Sequence, residues 1–221
     1  IIVQNCNVHD VGKSDTAAGS SGGMGIETDN YNGGNDNTVR HCWVHHIGQG
    51  SANNNIQGIY VASRGVVHGN LVHNVDSSGI HLWHGADQVT IANNTCFSCI
   101  AGSGIMVGAG DSGMVSGGVT NCRVFNNICR DSNYGISELG TIGSGNLYDH
   151  NLVHNCNTPW SLTNSTHTND LSSNPLMVNF QANGTGDYHL ASNSPARNAG
   201  VSSLSSSAAP TLDFDGNTRP Q

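Results

Sequence analysis

Three side chains that suit acid–base chemistry follow the same dipeptide in this 221-residue chain. Glu27 follows Gly-Ile in "GIETDN", Tyr60 follows it in "GIYVAS", and His81 follows it in "GIHLWHG". Successive residues of a strand point to opposite faces, so the residue after a buried Ile points outward, as does the residue two further on. The pattern therefore predicts Glu27, Tyr60 and His81 on one outer face, with Asp29 and Trp83 beside them.

These residue types suit chemistry on a sugar polymer. β-Elimination of a uronate needs a base for the C5 proton, an acid for the leaving oxygen and a positive charge near the carboxylate. Tyr60 and His81 suit the acid–base pair, and Arg64 or Ca²⁺ suits the neutralising role. Hydrolysis would instead use paired carboxylates, and an i, i+2 pair on a strand, such as Glu27 and Asp29, has a separation of about 7 Å.

The same face is predicted to bind substrate. The rings of Tyr60 and Trp83 would pack on sugar rings, and Asp29, Arg64 and His84 complete the predicted binding residues. Insertions at 13–23, 30–37, 48–55 and 108–118 would wall an open groove on both edges of the strands. The alternative is an ordinary polar outer wall with no ligand.

The elements that position these residues form a repeat. Six segments align with start-to-start steps of 24 to 36 residues, and they begin at Val3, Val39, Val67, Ile91, Val124 and Tyr148. An apolar or small residue recurs five positions later, and Asn70, Asn94, Asn127 and Asn151 share the column three positions after the start. A short repeat with no helical period buries its apolar columns only by stacking on its neighbours. The sequence thus predicts an all-β parallel β-helix of about six coils, with an asparagine ladder at left-handed corners.

The V-x-x-N-x-V-x-x-V and G-I-x repeats, with their asparagine column, resemble the right-handed parallel β-helix (pectate-lyase-like) superfamily over residues 1 to about 166. The resemblance implies the fold, while the superfamily holds lyases, hydrolases, epimerases, esterases, adhesins and tailspikes. Lyases of this superfamily commonly use Lys or Arg as the base, whereas Lys13 is the only lysine here. The three-Asp pattern of its pectin hydrolases is not apparent.

Two units are predicted: the coils (1–166) and a C-terminal segment (167–221) that packs on or caps the helix, over its last coils. The stretches "NPLMVNFQ" and "DFDGNTRP" resemble the closing segment of many secreted bacterial β-helix proteins, which implies a secreted or cell-surface location. An N-terminal cap is not visible in the sequence. Either upstream coils are missing, or residues 1–11 form an open sheet edge through which copies of the chain associate.

Two groups of residues could bind metal ions. One column of the repeat contains His9, His45 and His73, which could hold Zn²⁺ or Cu²⁺ with His46 or Asp10. Side chains on successive rungs of a flat sheet do not converge tetrahedrally, however, so the sequence predicts a stacked ladder of histidines instead. The stretch 27–37 is dense in oxygen ligands, which makes Asp29 and Asp36 predicted Ca²⁺ ligands. The alternating Asp213, Asp215 and Asn217 predict a turn, because the bidentate Glu of a calcium loop is missing.

The seven cysteines have a structural interpretation. Cys96 and Cys129 would be vertical neighbours at a distance that a disulfide could span, as would Cys6 and Cys42. Most of the cysteines fall in inward columns, where small apolar side chains are needed, so free buried thiols are predicted.

Composition restricts the partners. A net charge of −8, with one lysine and six arginines, disfavours nucleic acid, and no apolar stretch approaches the roughly 20 residues of a membrane span. The predicted function is a polysaccharide lyase or epimerase that acts on an acidic, uronate-containing polysaccharide at Glu27, Tyr60 and His81. The alternative is a non-catalytic structural or adhesive β-helix that stacks end to end into an assembly.

Overall fold

The computed structural model describes residues 1–12, 22–30, 33–48, 53–110 and 117–219. Within these ranges the chain forms strands without helices, and so contains no helix with the length and apolarity needed to cross a membrane. In chain order the strands are β1 (Ile2–Gln4), β2 (Asn7–His9), β3 (Gly23–Asp29), β4 (Asn37–Arg40), β5 (Trp43–Ile47), β6 (Ile56–Ala62), β7 (Gly65–His68), β8 (Leu71–Val75), β9 (Ile80–Leu82), β10 (Thr90–Ala92), β11 (Thr95–Cys99), β12 (Ser103–Ala109), β13 (Arg123–Phe125), β14 (Ile128–Arg130), β15 (Tyr134–Gly140), β16 (Leu147–Asp149), β17 (Leu152–His154), β18 (Thr158–Ser161), β19 (His167–Thr168), β20 (Met177–Asn179), β21 (Asp187–Leu190), β22 (Ser203–Leu204) and β23 (Ser207–Ala208).

Three parallel sheets run the length of the molecule. The first sheet has the order β1-β4-β7-β10-β13-β16-β19, the second β2-β5-β8-β11-β14-β17, and the third β3-β6-β9-β12-β15-β18. Each coil contributes one strand to each sheet, so β1 to β18 make six coils and β19 begins a seventh. The predicted parallel β-helix of about six coils is confirmed.

The rung register reproduces the predicted columns. Val39 pairs with Val67 in the first sheet, and Ile59 pairs with Ile80 in the third. The inward side chains of these columns form one continuous apolar core. The inner faces of the three sheets therefore pack against one another, which is the source of stability in a stacked repeat.

The predicted asparagine ladder runs along the turn between the first and second sheets. The Nδ2 of Asn70 donates to Oδ1 of Asn94 at 2.9 Å, Asn94 donates to Asn127 at 3.0 Å, and Asn127 donates to Asn151 at 3.0 Å. Asp170 extends the ladder, because its Oδ1 accepts the Asn151 N–H at 2.6 Å. Each buried amide thus satisfies backbone and side-chain groups of adjacent coils.

The expectation that the ladder asparagines take the left-handed conformation is wrong. The residue before each one does so instead: Asn93, Asn126 and His150 have φ of 56°, 57° and 52°. The left-handed residue makes the bend, and the next side chain can then point into the solenoid and bond to the neighbouring coils. A second left-handed residue lies at or directly after the C-terminal end of each second-sheet strand: Asp10, His46, Asn74, Ser98, Asp131 and Asn155.

The C-terminal segment first packs on the outside of the second sheet. Phe180 directly follows β20 of the antiparallel pair β20–β21, and Tyr188 lies in β21; their ring centroids are 5.2 and 4.8 Å from that of Phe97. Arg130 lies over the Phe180 ring at 3.5 Å. This hairpin therefore covers the middle coils from the side.

The rest of the segment runs back along the solenoid. Val201 donates its N–H to Asn126 on coil 5, and Ser207 hydrogen-bonds Thr90 on coil 4 at 2.9 Å. Leu212 and Phe214 then line a cleft with Gln4, Asn5, Arg40 and His41 of coils 1 and 2. The segment was predicted to pack over the last coils, but its contacts extend from Asn151 on coil 6 to the cleft at coils 1 and 2.

Candidate functional site

The third sheet brings the predicted acid–base residues onto consecutive rungs. Glu27 pairs with Tyr60, and Tyr60 pairs with His81, so β3, β6 and β9 align these side chains as the sequence predicted. Asp29 pairs with Ala62 one position along the outer face, and the Trp83 N–H donates to the Val61 carbonyl. The period of two along each strand accounts for this placement.

The side chains on this face of the third sheet differ in how deeply they are buried. Glu27 and Asp29 are exposed, whereas Tyr60 and His81 are only 7% and 8% exposed. The rings of Tyr60 and Trp83 were expected to pack on sugar rings, but only the Trp83 ring is partly exposed. The charged and the aromatic parts of the face therefore differ in their access to solvent.

Four rings form an aromatic cluster, which comprises Tyr60, His81, Trp83 and His84. The Tyr60 centroid lies 5.2 Å from that of His81 and 5.9 Å from that of His84, and the Trp83 ring meets His81 edge-on at 5.7 Å. His84 has φ of 47°, so the bend after β9 turns its ring back toward Tyr60. Side chains from two coils are thus held in contact.

His81 is the unusual member of the aromatic cluster. Both its ring nitrogens are buried, and neither has a hydrogen-bond partner among the residues that the structure describes. Burial lowers the pKa of His81 to about 3, and the nearby His84 adds to that effect. The imidazole is therefore neutral at physiological pH, with one nitrogen able to donate and the other able to accept a hydrogen bond.

Glycines that sequence reasoning missed support the Trp83 indole. A methyl group at Gly108, Gly110 or Gly140 would lie 2.7, 2.1 or 3.1 Å from an indole carbon. The ring therefore lies against backbone of the two following coils and remains partly exposed. The signal was present in the sequence, since Gly108 stands in the Trp83 column, but glycine in a strand also marks bulges and sharp bends.

Arg64 and Asp36 lie at the corner between the third and first sheets. The Arg64 guanidinium is 3.8 Å from the Asp36 carboxylate, and both side chains are well exposed. Residues 31 and 32 of the predicted calcium loop lie outside the described residues, as do Lys13 and much of the predicted groove walls. Among the residues that the structure does describe, no three His, Cys, Asp or Glu side chains converge as a metal site would require.

The second-sheet histidines form the predicted stack. The rings of His9 and His45 lie 5.0 Å apart at an interplanar angle of 10°, and those of His45 and His73 lie 5.2 Å apart at 12°. Phe97 continues the stack 4.5 Å from His73. His73 is fully buried, because the C-terminal hairpin covers this part of the sheet.

The remaining predictions concern structural residues. All seven cysteines lie among the described residues and are free. Burial raises the pKa of the Cys122 thiol to about 12, so it stays protonated and unreactive.

The Asp213 carboxylate accepts the N–H groups of Asp215 and Asn217 at 3.0 and 2.7 Å, which is the arrangement of the predicted turn.

Comparison with known proteins agrees with the fold. Residues 1–96 match the sequence model of a family described as "right handed beta helix region". No curated protein and no solved structure matches the chain. The match covers the first three coils and the start of the fourth. Together with the three parallel sheets, it identifies the architecture as a right-handed parallel β-helix.

Proposed function

We propose that this β-helix protein is secreted or surface-associated and binds a polysaccharide across its third sheet, between Glu27 on coil 1 and Trp83 on coil 3. The proposal depends chiefly on His81, whose two ring nitrogens lack hydrogen-bond partners in the described part of the chain. Buried polar groups are normally hydrogen-bonded, and a sugar hydroxyl that reaches His81 would supply the partner. The partly exposed Trp83 ring offers the apolar surface on which a sugar ring packs.

The reaction we propose is β-elimination or C5 epimerisation of a uronate. Neutral His81 takes the C5 proton, the C4–O bond breaks as the C4=C5 double bond forms, and the Tyr60 hydroxyl protonates the leaving oxygen. In epimerisation the C4–O bond stays intact and a proton returns to the other face of C5. Both reactions need the two side chains on adjacent rungs, as β6 and β9 place them.

Charge requires a cation near the substrate. Glu27 and Asp29 are exposed carboxylates on this face and would repel a uronate. Arg64 is one proposed source of positive charge, and Ca²⁺ held by Asp29 and Asp36 is the other. Turnover is therefore measured both with added Ca²⁺ and with a chelator.

One observation favours a second candidate function. A general base works best when its pKa is near the operating pH, and the pKa of His81 lies at about 3. The aromatic cluster would then be a packed outer wall of a non-catalytic, structural or adhesive β-helix. Such a protein would self-associate or bind a surface without changing a sugar.

The test joins a binding assay to a turnover assay. Wild-type protein is incubated with a panel of uronate polymers, product is followed by the ultraviolet absorbance of unsaturated uronates and by NMR of the C5 configuration, and binding is followed by calorimetry. We expect His81→Gln to lower turnover by about 10²–10⁴-fold and Trp83→Ala to weaken binding by about tenfold. Val178→Ala, at a 57% exposed side chain on the C-terminal hairpin, is the control and should change neither.

The outcomes separate the candidates. If the protein binds a polymer, Trp83→Ala weakens that binding and no polymer yields product, the proposal of sugar binding stands and the proposed lyase or epimerase activity is wrong. No binding to any polymer would overturn the proposal in favour of the structural candidate.

A further inference from the structure

Coil 2 carries two imidazoles that face each other where its second-sheet strand ends. Neighbouring residues of a strand normally point to opposite faces, but His46 has φ of 53°, and this left-handed backbone turns its ring toward His45. The two Nδ1 atoms lie 2.7 Å apart, and the rings are nearly perpendicular at 82°. One Nδ1–H therefore donates to the other Nδ1.

On other coils the left-handed residue at this corner has an oxygen-containing side chain instead of an imidazole. A side-chain pair of strand residue and left-handed residue recurs at His9–Asp10, His73–Asn74 and Arg130–Asp131, with distances of 2.9, 2.6 and 2.5 Å. In these three pairs the left-handed residue offers an oxygen. His46 instead offers a second nitrogen, and two convergent imidazole nitrogens are the ligands that Cu²⁺, Ni²⁺ and Zn²⁺ prefer.

The protonation of His45 suits a metal ligand. Its Nε2 lies 3.0 Å from Asn7 Oδ1 and donates to it, which leaves the lone pair on Nδ1. Metal-ligating histidines are typically held by such a bond from the other ring nitrogen.

The distance selects the geometry of the ion. With metal–nitrogen bonds of about 2.0 Å, two ligands at a right angle are about 2.8 Å apart, whereas tetrahedral ligands are about 3.3 Å apart. The observed separation of 2.7 Å is close to the first value. We propose that His45 and His46 form a Cu²⁺-binding pair through their Nδ1 atoms, with water in the remaining positions of a tetragonal ion. On binding, the His46 proton moves from Nδ1 to Nε2.

The test is a Cu²⁺ titration of the intact chain by calorimetry, with glycine as a competing chelator, followed by electron paramagnetic resonance. We expect one ion per chain with hyperfine structure from two imidazole nitrogens. His46→Asn copies the left-handed Asn74 of coil 3, so it should preserve the corner, weaken binding at least tenfold and remove one nitrogen. His154→Asn, at the coil-6 equivalent of His45, is the matched control and should bind Cu²⁺ as the wild type does.

A gain-of-site experiment keeps the proposal testable even if His46→Asn does not fold. Asp10→His should create a second pair with His9 and bind a second ion. Asn74→His should not, because the indole Nε1–H of Trp43 donates to His73 Nε2 at 2.7 Å and so leaves the proton on His73 Nδ1. Unchanged Cu²⁺ binding in His46→Asn, a wild-type spectrum without two imidazole nitrogens, or one ion only in Asp10→His would overturn the proposal.

Discussion

The glycine of each Gly-Ile pair is required by a side chain of the neighbouring sheet. A methyl group at Gly58 would lie 2.6 Å from Val72 Cγ1 and 2.5 Å from the Gly79 carbonyl oxygen. At the same position of coil 5, a methyl group at Gly135 would lie 2.2 Å from Val153 Cγ1. The recurring residue is thus glycine because the Val and Cys side chains of the second sheet occupy the space where its Cβ would lie. A Cβ there would overpack the core.

We expect Gly58→Ala to lower the free energy of unfolding by roughly 1–3 kcal/mol, because backbone or Val72 must shift. Gly23→Ala is the matched control, since Gly23 lies on the same sheet and a methyl group there meets no atom of the described residues within 4 Å. Urea denaturation of both variants measures the difference. Equal stabilities would show that the core accommodates the methyl group and that the steric explanation is wrong.

Residue types predicted which side chains share the third-sheet face, but not how accessible they are. Glu27, Tyr60 and His81 were placed correctly on consecutive rungs because alternation is a local property of a strand. Their burial depends on groups from other coils, and so does the seating of Trp83 on Gly108 and Gly140. A single strand's pattern contains no information about those contacts.

At the scale of elements, the asparagine ladder joins the coils where the first sheet turns into the second. Asn127 Oδ1 accepts both the backbone N–H and the side-chain amide of Asn94, each at 3.0 Å. Its Nδ2 donates to the carbonyls of Ile91 and Phe125. Because these groups are buried, a gap in the ladder leaves them without water as a substitute.

We expect Asn127→Ala to destabilise the protein by roughly 3 kcal/mol, because it leaves buried donors of Asn94 without an acceptor. Asn157→Ala is the control: its side chain is exposed and makes one long contact with Asn133, at 3.3 Å, so a change under about 0.5 kcal/mol is expected. Thermal unfolding followed by circular dichroism compares the two. A small effect at Asn127 would mean that the ladder contributes little to coil stacking.

At the scale of the whole molecule, the C-terminal segment couples distant coils. It contacts His73 and Phe97 through Tyr188, and reaches Arg40 and His41 through Phe214. Coverage by this segment and by neighbouring coils leaves several histidines buried and uncharged. Burial lowers the pKa of His68 and His73 to about 4 and that of His81 to about 3.

These shifts predict loss of stability in mild acid. The unfolded chain binds a proton at each histidine near pH 6.5, while the folded chain does so only near the lowered pKa. Stability from these groups is therefore present above about pH 6.5 and declines as the pH falls toward about 4, by up to about 1.4 kcal/mol per pH unit for each histidine. Melting temperatures between these pH values measure the effect. A melting temperature that stays constant from pH 7 to pH 5 would contradict it.

The sequence by itself determined the solenoid, its columns and its ladder, because strand alternation and the stacking of a short repeat follow from local pattern alone. Tertiary structure decided the path of the C-terminal segment, the burial of His81 and the meeting of His45 with His46. These features depend on contacts between residues far apart in the chain, or on one backbone angle that turns a side chain to the other face. Because His46 has a left-handed backbone, its Nδ1 lies 2.7 Å from that of His45. With an extended backbone, the two rings would point to opposite faces of the strand.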